Sequence, residues 1–296
     1  MQRFAVLLPA LFLLTGCAAE TVAEAPYHVM LVNDDGVDSP GLAAVAEVLA
    51  DDPAYRVSVV APAEEQSGVG HALVIREEVA VRPHPAVGGA PAWSVDATPA
   101  SVTAVALTVI LADDPPDLVV SGINRGENLG RAAWYSGTIA AAREAVLRSV
   151  PAIALSLELD WQDPKPDWRS AAALAKPIVD TVRREGLPPG ILLNVNFPRD
   201  TAAARGTRLA GLELAPDMVS RYEVDRVEGE VRYLTSRWAP PPATERGSDV
   251  AAIADGFVPI TPLALDQTAF NALPGLIAIG LEQSFDPAEG RGARAH

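Results

Sequence analysis

Two adjacent carboxylates, Asp34 and Asp35, stand in the tetrapeptide Asn33-Asp34-Asp35-Gly36, directly after the apolar run 28–33 (HVMLVN). Neighbouring carboxylates repel, and one pKa rises unless a cation or hydrogen-bond donors compensate. A hard divalent ion gives that compensation and prefers oxygen ligands. Asn, Asp and Gly are also common turn formers, so the tetrapeptide alone also reads as a plain turn.

A second polar cluster is Gln66-Ser67-Gly68-Val69-Gly70-His71. It lacks the third glycine of a dinucleotide fingerprint, and strand-like sequence follows where that motif needs a helix. Ser67 instead offers a hydroxyl ligand, with His71 either a proton-transfer group or a solvated loop residue. The third and most informative stretch runs from Ser121 to Gly130 (SGINRGENLG). Three glycines allow close backbone approach, while Asn124, Arg125 and Asn128 supply polar contacts for an anion. Tyr135-Ser136-Gly137-Thr138 then precedes a helix over 139–149. Backbone amides at that helix start, with the Ser136 and Thr138 hydroxyls, form a natural phosphate cradle. An N-cap and a glycine loop are each common separately, and their joint placement after a central strand points to an anion site. The chain has no P-loop, no Gly-x-Ser-x-Gly elbow and no His-Glu-x-x-His helix. A phosphoaspartyl enzyme would want Asp-x-Asp, whereas adjacent Asp residues suit shared metal ligation better. An aspartyl-phosphate route through Asp34 stays open as an alternative.

The elements that must hold these residues follow from apolar runs and their punctuation. Strands are predicted over 28–33, 56–61, 93–97, 117–123, 152–157 and 191–196. Helices are predicted over 40–50, 99–112, 137–149 and 169–185, the first two opened by Ser39-Pro40 and Thr98-Pro99. Alternation over 73–81 predicts a side hairpin. The repeated strand–loop–helix order predicts a three-layer, Rossmann-like α/β fold, with helices on both faces of a mostly parallel sheet. Ligands in such sheets gather at the C-terminal strand ends, where all the polar clusters above fall. The catalytic core is read as 27–200. After it come a hairpin over 227–238, an extended Pro240-Pro241-Pro242 connector and a strand over 257–263. Residues 201–285 are thus read as an extension on the core, and 286–296 as a disordered tail.

The full chain has 296 residues and is 49% hydrophobic, with only 5% aromatics, so Ala, Val, Leu and Ile must build the core. Its net charge is −15, which disfavours binding to a nucleic-acid polymer. Such a surface also repels phosphate esters, so an anion site needs a local positive centre such as a metal ion. Arg3 and the apolar run after it read as a signal peptide over 1–16, too short to span a bilayer as a helix. It ends in Leu14-Thr15-Gly16-Cys17, similar to a bacterial lipobox, which makes Cys17 the lipidation site at the head of a tether over 17–26. Removing 1–16 takes away Arg3 alone among charged residues and leaves −16. The expected location is the periplasmic face of a bacterial membrane, with Ala18 after the cysteine favouring the outer membrane. Cys17 is the only cysteine, so neither an internal disulfide framework nor a Cys-based zinc site is available.

Together these motifs resemble the SurE family of survival-protein nucleotidases. The likeness runs from about residue 27 to about residue 270 in six ordered blocks: LVNDDGVDSPGL (31–42), VVAPAEEQSGVGHAL (59–73), PDLVVSGINRGENLG (116–130), YSGTIAAAREA (135–145), ILLNVNFP (191–198) and GFVPITPL (256–263). The resemblance implies a metal-dependent phosphatase acting on nucleoside 5′-monophosphates, with 3′-monophosphates or other phosphomonoesters as further substrates. It places one divalent cation, Mg²⁺ or Mn²⁺, on Asp34, Asp35, Ser67 and Asn124, and the phosphate on Asn128, Ser136, Gly137 and Thr138. Asp34 and Asp35 are then the catalytic pair, with Asp34 available as a base. It also implies a C-terminal arm exchanged between subunits in a homodimer or homotetramer. Ser101 departs from the family's Gly-Thr-Pro-x-Asp-Cys pattern, standing where Asp is usual. The lipoprotein leader also departs from commonly cytosolic relatives. A non-catalytic nucleotide- or metal-binding lipoprotein is the remaining alternative.

Overall fold

The computed structural model describes residues 25–160, 162, 165–214, 221–237 and 246–281. The leader, Cys17, the tether up to residue 24, the Pro240-Pro241-Pro242 connector and the 286–296 tail lie outside the described residues. The first half runs β1 (Tyr27–Val32), α1 (Pro40–Ala50), β2 (Tyr55–Pro62), β3 (Val81–Val87), β4 (Ala90–Val95), α2 (Pro99–Val105), β5 (Leu118–Arg125) and α3 (Gly137–Leu147). It continues with β6 (Ala152–Leu157), α4 (Trp168–Glu185), β7 (Ile191–Phe197), β8 (Thr207–Leu209), β9 (Arg221–Glu228), β10 (Val231–Arg237), α5 (Asp249–Ala254), β11 (Val258–Ala264) and α6 (Leu273–Ala278).

β1 is buried from His28 to its end, as expected of a parallel strand covered on both faces. Its side chains alternate between two cores. Val29 and Leu31 face Leu42, Val45 and Leu49 of α1 and Ala175 and Val179 of α4. Met30 and Val32 face Val102 of α2 and Ile139 and Ala142 of α3. Small alanines at 140, 141, 142 and 145, all fully buried, let α3 lie close on the sheet. This is how a chain poor in aromatics fills its core.

Nine strands form the main sheet in the order β3-β4-β2-β1-β5-β6-β7-β11-β8. β4, β2, β1, β5, β6 and β7 run parallel, while β3 pairs antiparallel with β4, and β11 pairs antiparallel with β7 and parallel with β8. The expected three-layer, mostly parallel architecture is therefore present. From β1 the chain goes through α1 to β2 on one side, and it returns through α2 to β5 on the other. The β1/β5 boundary is thus a topological switch point, where the outgoing loops diverge and leave a crevice. One crossover is unusual. β5-α3-β6 and β6-α4-β7 step the same way across the sheet, yet α3 and α4 pack on opposite faces. The two connections therefore have opposite hands, against the near-universal right-handed rule. As a result α4 shares a face with α1.

Two elements differ from the sequence expectations. No strand forms over 73–80; the hairpin is β3–β4, turned at Gly88-Gly89 with φ of 54° and 82°. Pro83 and Pro85 argue against a strand there, but β3 is the sheet edge, where a missing amide leaves no ladder bond unmade. After residue 200 the chain divides: β8 and β11 extend the main sheet, while β9 and β10 form a separate antiparallel hairpin.

Candidate active site

The turn after β1 does two jobs with different residues. Asn33 is fully buried, and its Nδ2 donates to the Gly36 carbonyl at 2.8 Å and to Ser39 Oγ at 2.7 Å. That is turn chemistry, and it ties the turn to the start of α1. Asp34 and Asp35 are thereby freed to face other loops. The Gln66 amide donates to the Asp34 carbonyl at 2.7 Å, which draws the Ser67 loop onto the turn. The Arg125 amide donates to Asp35 Oδ2 at 3.0 Å, which draws in the end of β5 beside Asn124. Thr138 Oγ1 donates to Asp34 Oδ1 at 2.6 Å, which docks the N-terminus of α3. Three further segments thus converge on the Asp34-Asp35 turn.

The start of α3 is built around Asp34. Ser136 is the N-cap, its Oγ accepting the Ile139 amide at 3.1 Å. Gly137 has no room for a side chain: an added Cβ would lie 2.8 Å from Asp34 Cβ and 2.9 Å from Asp34 Oδ2. Thr138 is fully buried. Its single hydroxyl proton goes to Asp34, so its side chain fastens the carboxylate and cannot donate to a phosphate at the same time. That refines the sequence reading, which grouped the Thr138 hydroxyl with the anion cradle. The Ser136 O–H keeps its proton for a ligand.

Electrostatics define what the site suits. Burial pushes the Asp34 carboxyl up to about 7, against the Thr138 hydroxyl bond, and the Asp35 charge raises it further. Burial also raises Asp35, opposed by the Arg125 amide and guanidinium. A buried and a half-buried carboxylate, adjacent and both with raised pKa values, call for a cation. The donors present are all hard. Asn124 Nδ2 is engaged by the Gly126 carbonyl at 2.9 Å, which leaves its amide oxygen for a ligand. Ser67 donates to Glu65 Oε1 at 3.0 Å and keeps its oxygen lone pairs. Two carboxylates, a hydroxyl and an amide oxygen fit a divalent ion of the Mg²⁺ or Mn²⁺ type.

Several supporting residues escaped sequence reasoning. Asn196 Oδ1 accepts the Asn128 amide at 2.7 Å, and Asn194 Nδ2 donates to the Asn128 carbonyl at 2.8 Å. Asn128 Nδ2 donates in turn to Ser156 Oγ at 2.8 Å and reaches Thr138 Oγ1 at 3.4 Å. Asp249, fully buried, accepts the Gly130 amide at 2.7 Å on Oδ2 and the Glu213 amide at 2.9 Å on Oδ1. The signal for Asn194 and Asn196 was present: polar residues at alternate positions of an apolar strand must find buried partners. His71 does not reach the carboxylates among its recorded contacts. Its Nε2 lies 3.0 Å from Glu144 Oε2 on α3, pinning the far end of the Ser67 loop. Ser101 accepts the Val74 amide at 2.8 Å and so fastens the segment after His71. Arg125 projects outward, its guanidinium 3.9 Å from Glu65.

Comparison with known proteins bears on this arrangement. Residues 29–222 match the family model described as "Survival protein SurE". A relative named 5′-nucleotidase SurE from Chloroflexus aggregans is 38% identical, over 84% of this chain and 97% of the relative. A second, 5′-nucleotidase SurE 1 from Thermus thermophilus, is 39% identical, over 84% of this chain and 98% of its own length. The crystal structure of the SurE protein from Aquifex aeolicus superposes with a TM-score of 0.73 at 32% identity, covering 85% of this chain and 99% of that one. With the β1/β5 crevice, the paired carboxylates and the α3 cradle in place, the chain belongs to the SurE family.

Proposed function

We propose that this chain is a nucleotidase that hydrolyses nucleoside 5′-monophosphates with one divalent cation, Mg²⁺ or Mn²⁺, held by Asp34, Asp35, Ser67 and Asn124. The observation that carries the reading is the bond from Thr138 Oγ1 to Asp34 Oδ1. It fixes a carboxylate of the cation site to the same helix start whose amides face an anion, so cation and phosphate have one shared frame. The relatives' name, 5′-nucleotidase, agrees with that chemistry.

The residues divide the work as follows. Ser136 Oγ and the Gly137 amide hold the phosphoryl oxygens, using the unpaired donors of a helix N-terminus, while Asn128, whose own donors go to Asn196, Ser156 and Thr138, braces that helix start from behind. These donors are fixed before substrate arrives, because Thr138 is tied to Asp34 and is approached from behind by Asn128, itself clamped by Asn194, Asn196 and Ser156. Arg125, at the mouth, adds a positive charge to a chain whose net charge of −15 otherwise repels phosphate. The bound cation supplies charge neutralisation at the phosphoryl oxygens and lowers the pKa of water. Adjacent Asp residues and the Thr138 bond leave Asp34 held as a ligand, which favours direct water attack over an aspartyl-phosphate.

Phosphate release from AMP is the test. Purified protein should be active with Mn²⁺, silent in excess chelator and restored by Mn²⁺, while Asp34→Asn stays folded and inactive. Near-normal turnover by Asp34→Asn would sink the assignment. Two further readings belong here. Cys17 is lipidated and tethers the enzyme to the periplasmic face of the outer membrane, supported by Leu14-Thr15-Gly16-Cys17; Cys17→Ala should release it from membranes. Two or four copies associate through the segment after residue 200, supported by exposed Val224, Val227, Val231 and Leu234 on the β9–β10 hairpin. Light scattering of the purified protein reports that mass.

A further inference from the structure

Beside the carboxylate pair, on the α1 face, opens a cleft of about 470 Å³, within the size range of small-molecule sites. Its lining includes Asp35, Asp38, Glu64, Glu65, Arg125 and Trp168. Asp35 and Arg125 belong also to the site above, so the cleft is continuous with it. Trp168 opens α4, and the unusual crossover brings that helix start against α1. Gly41 makes the contact possible: a Cβ there would stand 3.1 Å from Trp168 Cζ3 and 2.2 Å from the Ile123 carbonyl oxygen. The indole is thus half-buried on the first turn of α1, with part of its surface on the cleft.

The two halves of the crevice differ in charge. The α3 side presents amides and a hydroxyl and suits an anion. The cleft presents four carboxylates against one guanidinium, so it repels phosphate and suits a neutral group that donates hydrogen bonds. Ribose hydroxyls and exocyclic amino groups are such donors, and a flat indole suits a base, since stacking tolerates any base. Resting on the nucleotidase reading, we propose that this cleft is the nucleoside subsite, with Trp168 as the platform on which the base stacks. The enzyme then recognises its substrate from both ends, with the cation between them. Trp168 acts in specificity, since a phosphomonoester without a base gains nothing from it.

The test uses the full protein with AMP, ribose 5-phosphate and adenosine. Loss of a base–aromatic stack should lower kcat/KM for AMP about tenfold in Trp168→Ala, mainly through KM, with ribose 5-phosphate falling less, so that the ratio between them collapses. Trp168→Phe keeps a ring on Gly41 and should hold AMP within about threefold of wild type. Adenosine, which carries no phosphate, should quench wild-type tryptophan fluorescence saturably, and Trp168→Phe should lose that quench. An unchanged AMP to ribose 5-phosphate ratio in folded Trp168→Ala, or a quench that persists in Trp168→Phe, overturns the subsite. Wild-type protein that binds adenosine through Trp168 yet never releases phosphate from AMP refutes the hydrolase reading and leaves the subsite standing. Turnover of AMP without a Trp168-dependent quench does the reverse.

Discussion

Gly137→Ala adds one methyl group at the most confined point of the site. That carbon would stand 2.8 Å from Asp34 Cβ, 2.9 Å from Asp34 Oδ2 and 3.1 Å from Pro99 Cγ. Carbon contacts ordinarily sit at about 3.5–4.0 Å, so the neighbours must separate by roughly 0.7 Å. Asp34 cannot swing away without breaking its 2.6 Å bond with Thr138, and Pro99 is held in α2. The start of α3 must therefore back off, and with it the Ser136 and Thr138 donors. Overpacking of this kind costs about 1–3 kcal/mol, partly offset by roughly 1 kcal/mol of helix propensity gained over glycine. The net loss of about 0–2 kcal/mol lowers Tm by only a few degrees. Activity is more sensitive, because a misplacement of about 1 Å can cost on the order of a hundredfold in rate. Differential scanning calorimetry and phosphate release from AMP should show a nearly native melt beside turnover reduced about a hundredfold. Wild-type kcat/KM in Gly137→Ala would refute the claim that the helix start and the Asp34 carboxylate form one rigid unit.

Other outcomes follow from the same contacts. Burial raises the folded-state pKa of Asp34 from 3.8 to about 7, so the metal-free fold binds that proton more tightly than the unfolded chain does. The resulting stability, about 4 kcal/mol at most, is complete below about pH 4 and is lost as pH rises through about 7. Melting in chelator should therefore fall more steeply between about pH 4 and pH 7 than melting in Mn²⁺, and parallel curves would count against a cation on Asp34. Asp249→Asn turns one acceptor oxygen towards a backbone amide as a donor; it should cost about 1–3 kcal/mol in urea unfolding and loosen the Gly130 loop. His71→Ala removes the pin to Glu144 and should weaken Mn²⁺ binding about tenfold by calorimetry, the scale of an outer partner of a ligand.

What the chain revealed before folding was whatever is local. Asp34 and Asp35 follow a buried strand, and Ser136 to Thr138 open a helix, so both could be placed at the sheet's C-terminal edge from pattern alone. The division of labour between them was not legible. Thr138 looked like an anion donor, and only its 2.6 Å approach to Asp34 shows where its proton goes. Asp249 lies 119 positions from the Gly130 amide it holds, and no local pattern encodes that pairing. Trp168 was invisible as a site residue for a similar reason. Its place beside α1 depends on a crossover of unexpected hand, which periodicity does not report. The β3–β4 hairpin was displaced because prolines argue against strands in general but not against an edge.

The most direct measurement is phosphate release from AMP by chelator-stripped protein, titrated with Mn²⁺ in equivalents per chain. One cation on Asp34, Asp35, Ser67 and Asn124 requires turnover to rise from zero and level off at one equivalent. Activity that survives complete stripping, or that shows no dependence on added Mn²⁺ or Mg²⁺, would contradict it.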